Sequence, residues 1–159
     1  MTDVVTIKEV VQECYDTKTF RFDWDADARP GQFIMVWIPG TDEIPMSISG
    51  IDGMEKSITV KAIGEATRRL HEFKAGDRLR IRGPYGNGYD LSRGELLIIG
   101  GGVGTASIMP AVTASGADTI IAARTHNDVI LDGIAAEHAR NLWIATDDGS
   151  YGVKGFVTD

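Results

Sequence analysis

The sequence predicts two modules in series: a six-stranded antiparallel β-barrel over residues 1–92, followed by a partial α/β parallel-sheet domain over residues 93–159. Three observations carry this. The first ninety or so residues alternate apolar and polar side chains between Gly, Pro and Asp punctuation, the pattern of short half-buried strands. After Gly94 the rhythm becomes strand–helix–strand–helix–strand, the pattern of parallel α/β architecture. Ten of the 19 glycines cluster at 83–88, 100–104 and 149–155, at the joint and at two turns of the second module.

In the first module, Val5, Ile7 and Val11 share a face near the start, and "TFRF" sets Phe20 beside Phe22. "QFIMVWI" is continuously apolar, as expected of a strand covered on both sides. In "SITVKAI", Ile58, Val60 and Ala62 face one way and Ser57, Thr59 and Lys61 the other; "RLRIRG" sets Leu79 and Ile81 against Arg78, Arg80 and Arg82. Pro30-Gly31, Gly40, Asp52-Gly53 and Gly76-Asp77 mark turns, and Asp52-Gly53 suits a tight hairpin because its central residues take positive φ. Six such strands suggest a small closed barrel. "EATRRLHEF", residues 65–73, reads as a helical interruption that Thr67 caps, with Leu70 and Phe73 one turn apart. In the second module, "ELLIIGGG" is a buried strand running into glycines. A helix then extends to Ala114, "DTIIAAR" is a second strand, 129–139 a second helix and "NLWIATDD" a third strand. The boundary falls near Ser92–Gly94.

Composition narrows the function. Apolar residues make up 43% and charged residues 25%, as in ordinary globular proteins. A formal net charge of −7 disfavours nucleic acid and anionic membranes, both of which call for a basic face. Cys14 is the single cysteine, so it forms no intramolecular disulfide and supplies no four-thiolate iron–sulfur site. No apolar run approaches the ~20 residues of a membrane span and no signal peptide precedes Asp3, so the expected setting is the cytoplasm.

Chemistry concentrates in a few stretches. "LLIIGGGVGTASIMPAV", 96–112, releases a buried strand into a glycine turn from which a helix rises. Gly101, Gly102 and Gly104 permit unusual φ values and close approach of a ligand, and the helix start at Thr105 and beyond offers free N–H groups to a pyrophosphate. Close strand–helix packing alone also produces such turns. With Ser107 as N-cap, Pro110 falls at the third helical position, where its missing N–H costs little. The second strand ends in Arg124, which suits a 2′-phosphate or simply solvent, and leaves NADH and NADPH unresolved. "EIPMSIS", 43–49, is an ordinary barrel strand or a flavin-holding one. "GEATRRL", 64–70, gathers Gly64, Ala66, Thr67, Arg68 and Arg69 at a helix start, for a phosphate or as a solvated surface helix. "GPYGNGYD", 83–90, reads as a rigid linker. Asp147-Asp148 read as a solvated loop pair, and His71, His126 and His138, which lack metal spacing, as surface residues.

Taken in order, "IPMS", "GEAT", "GPYGNGY", "GGGVGTASI" and "TDDGSYGVKGFVTD" resemble the ferredoxin–NADP reductase superfamily and, within it, the family of dihydroorotate dehydrogenase electron-transfer subunits. The resemblance spans nearly the whole chain, and it is the order of the motifs that is specific. It implies a flavin-binding barrel that holds FAD, in preference to FMN, through Pro45, Met46, Ser47, Ile48, Val60, Lys61, Gly64, Ala66, Thr67 and Arg68. It implies NADH as electron donor, docked on Gly101, Gly102, Gly104 and Thr105, with hydride transfer needing no protein acid or base. The implied partner is a catalytic oxidoreductase subunit, dihydroorotate dehydrogenase of pyrimidine biosynthesis, within a homo- or hetero-oligomer. A non-catalytic flavin-binding or assembly module, or a reductase for another partner such as a hydrogenase, are the alternatives. Two departures stand out. Ile44 occupies the place of the family's phosphate-pairing arginine, which Arg68, Arg69 or Lys61 would have to replace. The family's further strand and cysteine-rich cluster loop lie beyond "TDDGSYGVKGFVTD", so no iron–sulfur cluster is expected on this chain. The sheet is expected to expose an edge beside its first strand that a partner, a second copy or a further segment covers.

Overall fold

The alternation in the first module closes a barrel. A computed structural model describes residues 2–159. Strands β1 (Asp3–Cys14), β2 (Thr17–Asp23), β3 (Phe33–Trp37), β4 (Glu43–Asp52), β5 (Glu55–Lys61) and β6 (Arg78–Tyr85) pair in the order β1-β2-β5-β4-β3-β6, antiparallel throughout. Val5, Ile7, Phe20, Phe22, Ile34, Val36, Ile48, Ile58, Val60, Leu79 and Ile81 fill the interior, and Leu70 of helix α1 (Glu65–Leu70) packs with them. The β4–β5 hairpin turns on Gly53 and Met54, not on Asp52-Gly53: Asp52 pairs with Glu55 as the last residue of its strand, and of the two central residues Gly53 alone takes a positive φ.

Helix α1 is shorter than "EATRRLHEF" suggests, and Thr67 is not its N-cap. Gly64 occupies that position, and Thr67, three residues on, turns its Oγ1 back to accept the N–H groups of Ile63 and Gly64, each at 2.9 Å. His71 is not a free surface residue either. Its Nε2 lies 2.7 Å from the Val60 carbonyl, and its ring meets Phe20 edge-on at 6.3 Å, tying the end of α1 to the barrel.

The second module is a four-stranded parallel sheet in the order β10-β9-β8-β7, formed by β7 (Leu97–Gly101), β8 (Asp118–Ala123), β9 (Leu142–Thr146) and β10 (Val153–Lys154). The fourth strand was not expected; it is two residues long, and no hydrophobic period marks it. Helices α2 (Thr105–Ser115) and α3 (Asp132–His138) cover one sheet face through Met109, Val112 and Ala135. The expected helix at 129–139 begins only at Asp132, because Leu131 adopts a left-handed conformation that stops a helix from extending backwards through it.

The two modules pack together where α2 crosses β4. There the barrel's outer face is polar yet buried. Thr19 and Thr59 share a hydrogen bond at 2.8 Å, Thr59 donates to Ser49 at 2.8 Å, and Ser49 meets Ser57 at 3.1 Å. Buried hydroxyls that satisfy one another avoid the desolvation cost of unpaired ones.

Candidate functional site: an opening in the barrel wall beneath the glycine turn

Strand β4 changes partners along its length. Its ladder with β5 begins at Ile48–Ile58 and runs to Asp52–Glu55, whereas residues 43–47 pair only with β3. Beyond Ile58, β5 pairs only with β2. The barrel wall therefore opens between residues 43–47 of β4 and the carboxyl-terminal end of β5. The phase of the β3–β4 ladder shows which groups face this opening. The Ile48 N–H donates to Gln32 and the Ile38 N–H to Asp42, so the peptide groups of Ile44 and Met46 also point to β3. Those of Pro45 and Ser47 point the other way, into the opening. A proline inside a paired strand would break the ladder; at position 45 its missing N–H costs no such bond.

The side chains divide by the same alternation. Pro45 and Ser47 are exposed on the outer face, whereas Ile44 and Met46 lie partly buried against the barrel core. Ile48 and Val60 are 1% exposed and point into the barrel, so they bound the opening with backbone alone. Outside, Arg82 forks onto Glu43, its Nε donating to Oε1 at 2.7 Å, and this hydrogen bond holds the Glu43 carboxyl below its usual range.

The glycine turn stands over the end of β5. Gly102–Gly104 wind as a single 3-10 turn directly into α2, which starts at Thr105. Ser107 is consequently not the N-cap: it lies in the first turn, and its Oγ donates to the Gly104 carbonyl at 2.8 Å. Pro110 falls in the helix interior, not at its third position. The glycines have separate duties. Gly102 takes a φ of +53°, and neither it nor Gly104 would bring a Cβ within 4 Å of a neighbour, so both leave open space above the turn. Gly100, which spacing alone did not single out, is the packing glycine: a Cβ there would lie 2.9 Å from both Ile108 Cγ1 and Thr105 Cα. Gly101 is extended, and a Cβ on it would meet only the Ala122 carbonyl, at 4.0 Å. The Thr105 side chain is wholly buried and its hydroxyl is unpartnered, so this residue offers a ligand its backbone, not its Oγ1.

Between the end of β5 and the turn lies a cleft of about 460 Å³ lined by Asp16, Lys61, Ile63, Gly102, Val103 and Arg124, among others. It brings residues of the two predicted binding stretches together. Lys61 pairs with Asp16 at 3.2 Å. Burial pulls the Asp16 carboxyl up, but hydrogen bonds from Thr17, Cys14 and Lys61 outweigh it and leave the group below the ordinary carboxylate range. Arg124 makes no ion pair among the described residues. Gly64 and Ala66 sit at the start of α1, where Gly64 has no neighbour within 4 Å of a Cβ. Arg68 folds back to donate to the Ile63 carbonyl at 2.8 Å and 3.1 Å, and the Arg69 guanidinium lies over Gly40. Asp147 and Asp148 cap the end of β9, with Asp148 accepting from Ser150 at 2.6 Å and held below its usual range by it. Among the described residues no group of three or more His, Cys, Asp or Glu is placed to hold a metal ion.

A closed six-stranded antiparallel barrel joined to a four-stranded parallel sheet with helices is the fold of the ferredoxin reductase-like flavoproteins. The NADH-dependent reduced ferredoxin-NADP oxidoreductase matches it with a TM-score of 0.89 at 29% identity, over 99% of this chain and 61% of that one. The flavohem-like FAD/NAD-binding domain of Vibrio cholerae nitric oxide dioxygenase shares the fold at a TM-score of 0.84 and 20% identity, covering 96% of this chain and 78% of that one. No family model matches the sequence. Curated relatives do. The probable dihydroorotate dehydrogenase B (NAD(+)) electron transfer subunit of Thermoplasma volcanium is 51% identical over 151 residues, 95% of this chain and 59% of that protein. Its counterpart in Thermococcus kodakarensis is 41% identical over 165 residues, 100% of this chain and 68% of that protein. The chain belongs to the family of dihydroorotate dehydrogenase B electron transfer subunits, and it spans about six-tenths of the length of most of the curated relatives it matches.

Proposed function

We propose that this chain is the flavin- and nicotinamide-binding part of an electron-transfer subunit that takes electrons from NADH and passes them to a dihydroorotate dehydrogenase. The observation that carries the reading is the opening between β4 and β5 and its position beneath the glycine turn. A planar ring system entering there meets the Ser47 N–H and the Pro45 and Ser47 carbonyls, which no neighbouring strand occupies. The Ser47 hydroxyl is exposed beside them, and Met46 supports the strand from the core side. Gly64, Ala66, Thr67 and Arg68 are the residues for the flavin phosphates, and Lys61 lines the cleft between them and the turn. Gly101, Gly102, Gly104 and the Thr105 backbone are the surface for the dinucleotide, where open space lets a pyrophosphate approach main-chain N–H groups.

FAD, when bound, supplies the two-electron-to-one-electron chemistry. The protein's part is to orient and to shield. Packing of α2 against β4 fixes the height of the turn above the opening. No acid or base is required at the hydride step, and the cleft carboxylate Asp16 is held ionised by Lys61, Thr17 and Cys14. With a single cysteine, these 159 residues do not themselves furnish four thiolates for an iron–sulfur cluster, so onward transfer runs to groups outside them.

The test is reconstitution with FAD and with FMN, followed by anaerobic titration with NADH and NADPH. FAD uptake and bleaching of the flavin band by NADH are expected. Protein that takes up neither flavin sinks the reading. Flavin uptake with no reduction by either nucleotide would favour a non-catalytic flavin module, which the uncharged Ile44 in a phosphate-pairing position also favours.

A further inference from the structure

The second module rests on the outer face of the barrel, and the two do not pack evenly. Where α2 crosses β4, the barrel contributes the hydroxyls of Thr19, Ser49, Ser57 and Thr59 and not an apolar surface. A cleft of about 510 Å³, lined by Arg21, Ser57, Met109, Pro110, Leu131 and Ile134 among others, separates the modules near one end of the β2–β5 ladder. The cleft of about 460 Å³ at Lys61 and Gly102 separates them at the other end, where Thr17 pairs with Lys61. Contacts between modules that are small and polar leave relative motion as the default. Packing of α2 on β4 therefore sets the height of the glycine turn without fixing rotation about that contact.

A single hydrogen bond closes the edge of the second cleft. Tyr15, at the tip of the β1–β2 hairpin, donates from its hydroxyl to Asp128 Oδ1 at 3.2 Å. Among the described residues no other hydrogen bond or ion pair joins residues 2–92 to residues 97–159. Both ends of the bridge are held. Asp16 accepts from Thr17 Oγ1 at 2.9 Å and Cys14 Sγ at 3.3 Å and so shapes the hairpin tip, while Cys14 packs against the apolar cluster of the second module. Asp128 ends the 3-10 turn His126–Asp128, and its other oxygen accepts from Thr125 Oγ1 at 2.9 Å. Tyr15 is 73% exposed, so burial of its ring is not what places it there. The bond to Asp128 pushes the Tyr15 phenol above its ordinary range.

We propose that Tyr15 is a positioning residue: its hydroxyl, held by Asp128, locks the second module against the barrel and sets the width of the cleft between Lys61 and the glycine turn. A hydrogen bond to a charged acceptor shifts a two-state equilibrium by about fivefold or more. The geometric part of the inference stands without a cofactor. Its consequence for rate rests on the proposed electron-transfer reading, in which hydride crosses this cleft.

Residual dipolar couplings of the ligand-free chain test the geometry, and stopped-flow reduction of FAD-loaded protein by NADH tests the consequence. In the unaltered protein one alignment tensor should fit both modules. Tyr15→Phe and Asp128→Ala should each require two, and Asp128→Asn, which keeps an acceptor oxygen, should return to one. Tyr15→Phe combined with Asp128→Ala should be no looser than Asp128→Ala alone, since both remove the same bond. At saturating NADH, flavin reduction in Tyr15→Phe should slow about twofold or more while the NADH dissociation constant and the urea midpoint hold, a split that simple destabilisation does not produce. A single tensor in Tyr15→Phe, two tensors in the unaltered protein, additive loosening in the double variant, or an unchanged reduction rate overturns the proposal. Protein that takes up no flavin counts against the functional reading alone, and the couplings then decide whether the bond locks the modules.

Discussion

Gly100→Ala and Gly104→Ala form a paired experiment on the glycine turn, because the structure assigns the two residues opposite roles. A methyl group on Gly100 would lie 2.9 Å from Ile108 Cγ1, 2.9 Å from Thr105 Cα and 3.1 Å from Thr105 Oγ1. Ile108 can shift by rotating, but Thr105 Cα is backbone of the first helical residue and moves only if α2 lifts away from β7. Overpacking of this kind costs about 1–3 kcal/mol, and a backbone obstacle points to the upper half of that range. Gly104 has a helical φ of −60° and nothing within 4 Å of a Cβ. Alanine there removes freedom from the unfolded chain and stabilises by about 0.4–1 kcal/mol. Urea unfolding followed by amide exchange in α2 reads the difference. With an m-value of about 2 kcal/mol/M, the Gly100→Ala midpoint falls by roughly 1 M and the Gly104→Ala midpoint holds or rises slightly. NADH binding should invert the order: Gly104→Ala weakens it about tenfold by filling the space above the turn, a loss of about 1.4 kcal/mol. An unchanged midpoint for Gly100→Ala refutes the packing argument. Normal NADH affinity in Gly104→Ala refutes the turn as a pyrophosphate site.

Two further outcomes are expected. Ile44→Arg introduces a cation at the edge of the opening in place of a partly buried core contact; a charge-assisted hydrogen bond worth about 1.5–3 kcal/mol should tighten FAD at least tenfold in equilibrium dialysis, and unchanged affinity at an unchanged urea midpoint means the phosphates do not reach β4. The Asp118 carboxyl is held at about 2 by hydrogen bonds from Arg140, at 2.9 and 2.7 Å, and from Asn141. Since folding lowers this group below the ~3.9 of an unfolded aspartate, its stabilisation is complete above about pH 4 and is lost as pH falls towards 2. Urea midpoints measured from pH 5 down to 2 should show a shallower decline in Asp118→Asn, and an equal decline in both proteins contradicts the assignment.

Much of this architecture is legible in sequence because strand and helix periods are local properties. Phe20, Phe22, Ile58, Val60, Leu79 and Ile81 alternate as interior residues must, and they are interior. What escaped depends on long-range packing. Ser57 and Thr59 lie on the polar face of an alternating strand, yet α2 and its neighbours bury them, and the hydroxyl chain through Ser49 and Thr19 makes that tolerable. Lys56 occupies an inward position of β5, and its ammonium is accommodated by the Trp24 and Gly53 carbonyls. Gly100 and Gly104 look alike in "GGGVGT"; only the location of Ile108 and Thr105 in space separates them. The start of α2 was misplaced for a related reason, since a glycine turn that winds into the helix needs no capping side chain. The opening in the barrel wall left one trace, Pro45, whose place inside a strand makes sense only where the ladder is interrupted.

The electrostatics around that opening bear on how a phosphate-bearing cofactor is held. Lys61 is compensated by Asp16, and Arg82 by Glu43, so neither carries free charge towards a ligand. Arg68 and Arg69 share their helix face with Glu65 and Glu72, and Arg68 spends its donors on the Ile63 carbonyl. Arg124 makes no ion pair among the described residues, but it lines the cleft with Gly102 and Val103 of the glycine turn. With Ile44 apolar, fixed charges on the barrel side offer little attraction to the proposed flavin, and the remaining resource is directional: main-chain N–H groups at the starts of α1 and α2 and in the unpaired stretch of β4. Such donors act at hydrogen-bond range and not over a Debye length. A cofactor held this way depends on a rigid frame more than on a cationic field. On the proposed reading, the buried hydroxyl chain and the Gly100 packing contact, neither of which offers a group to a ligand, support that frame.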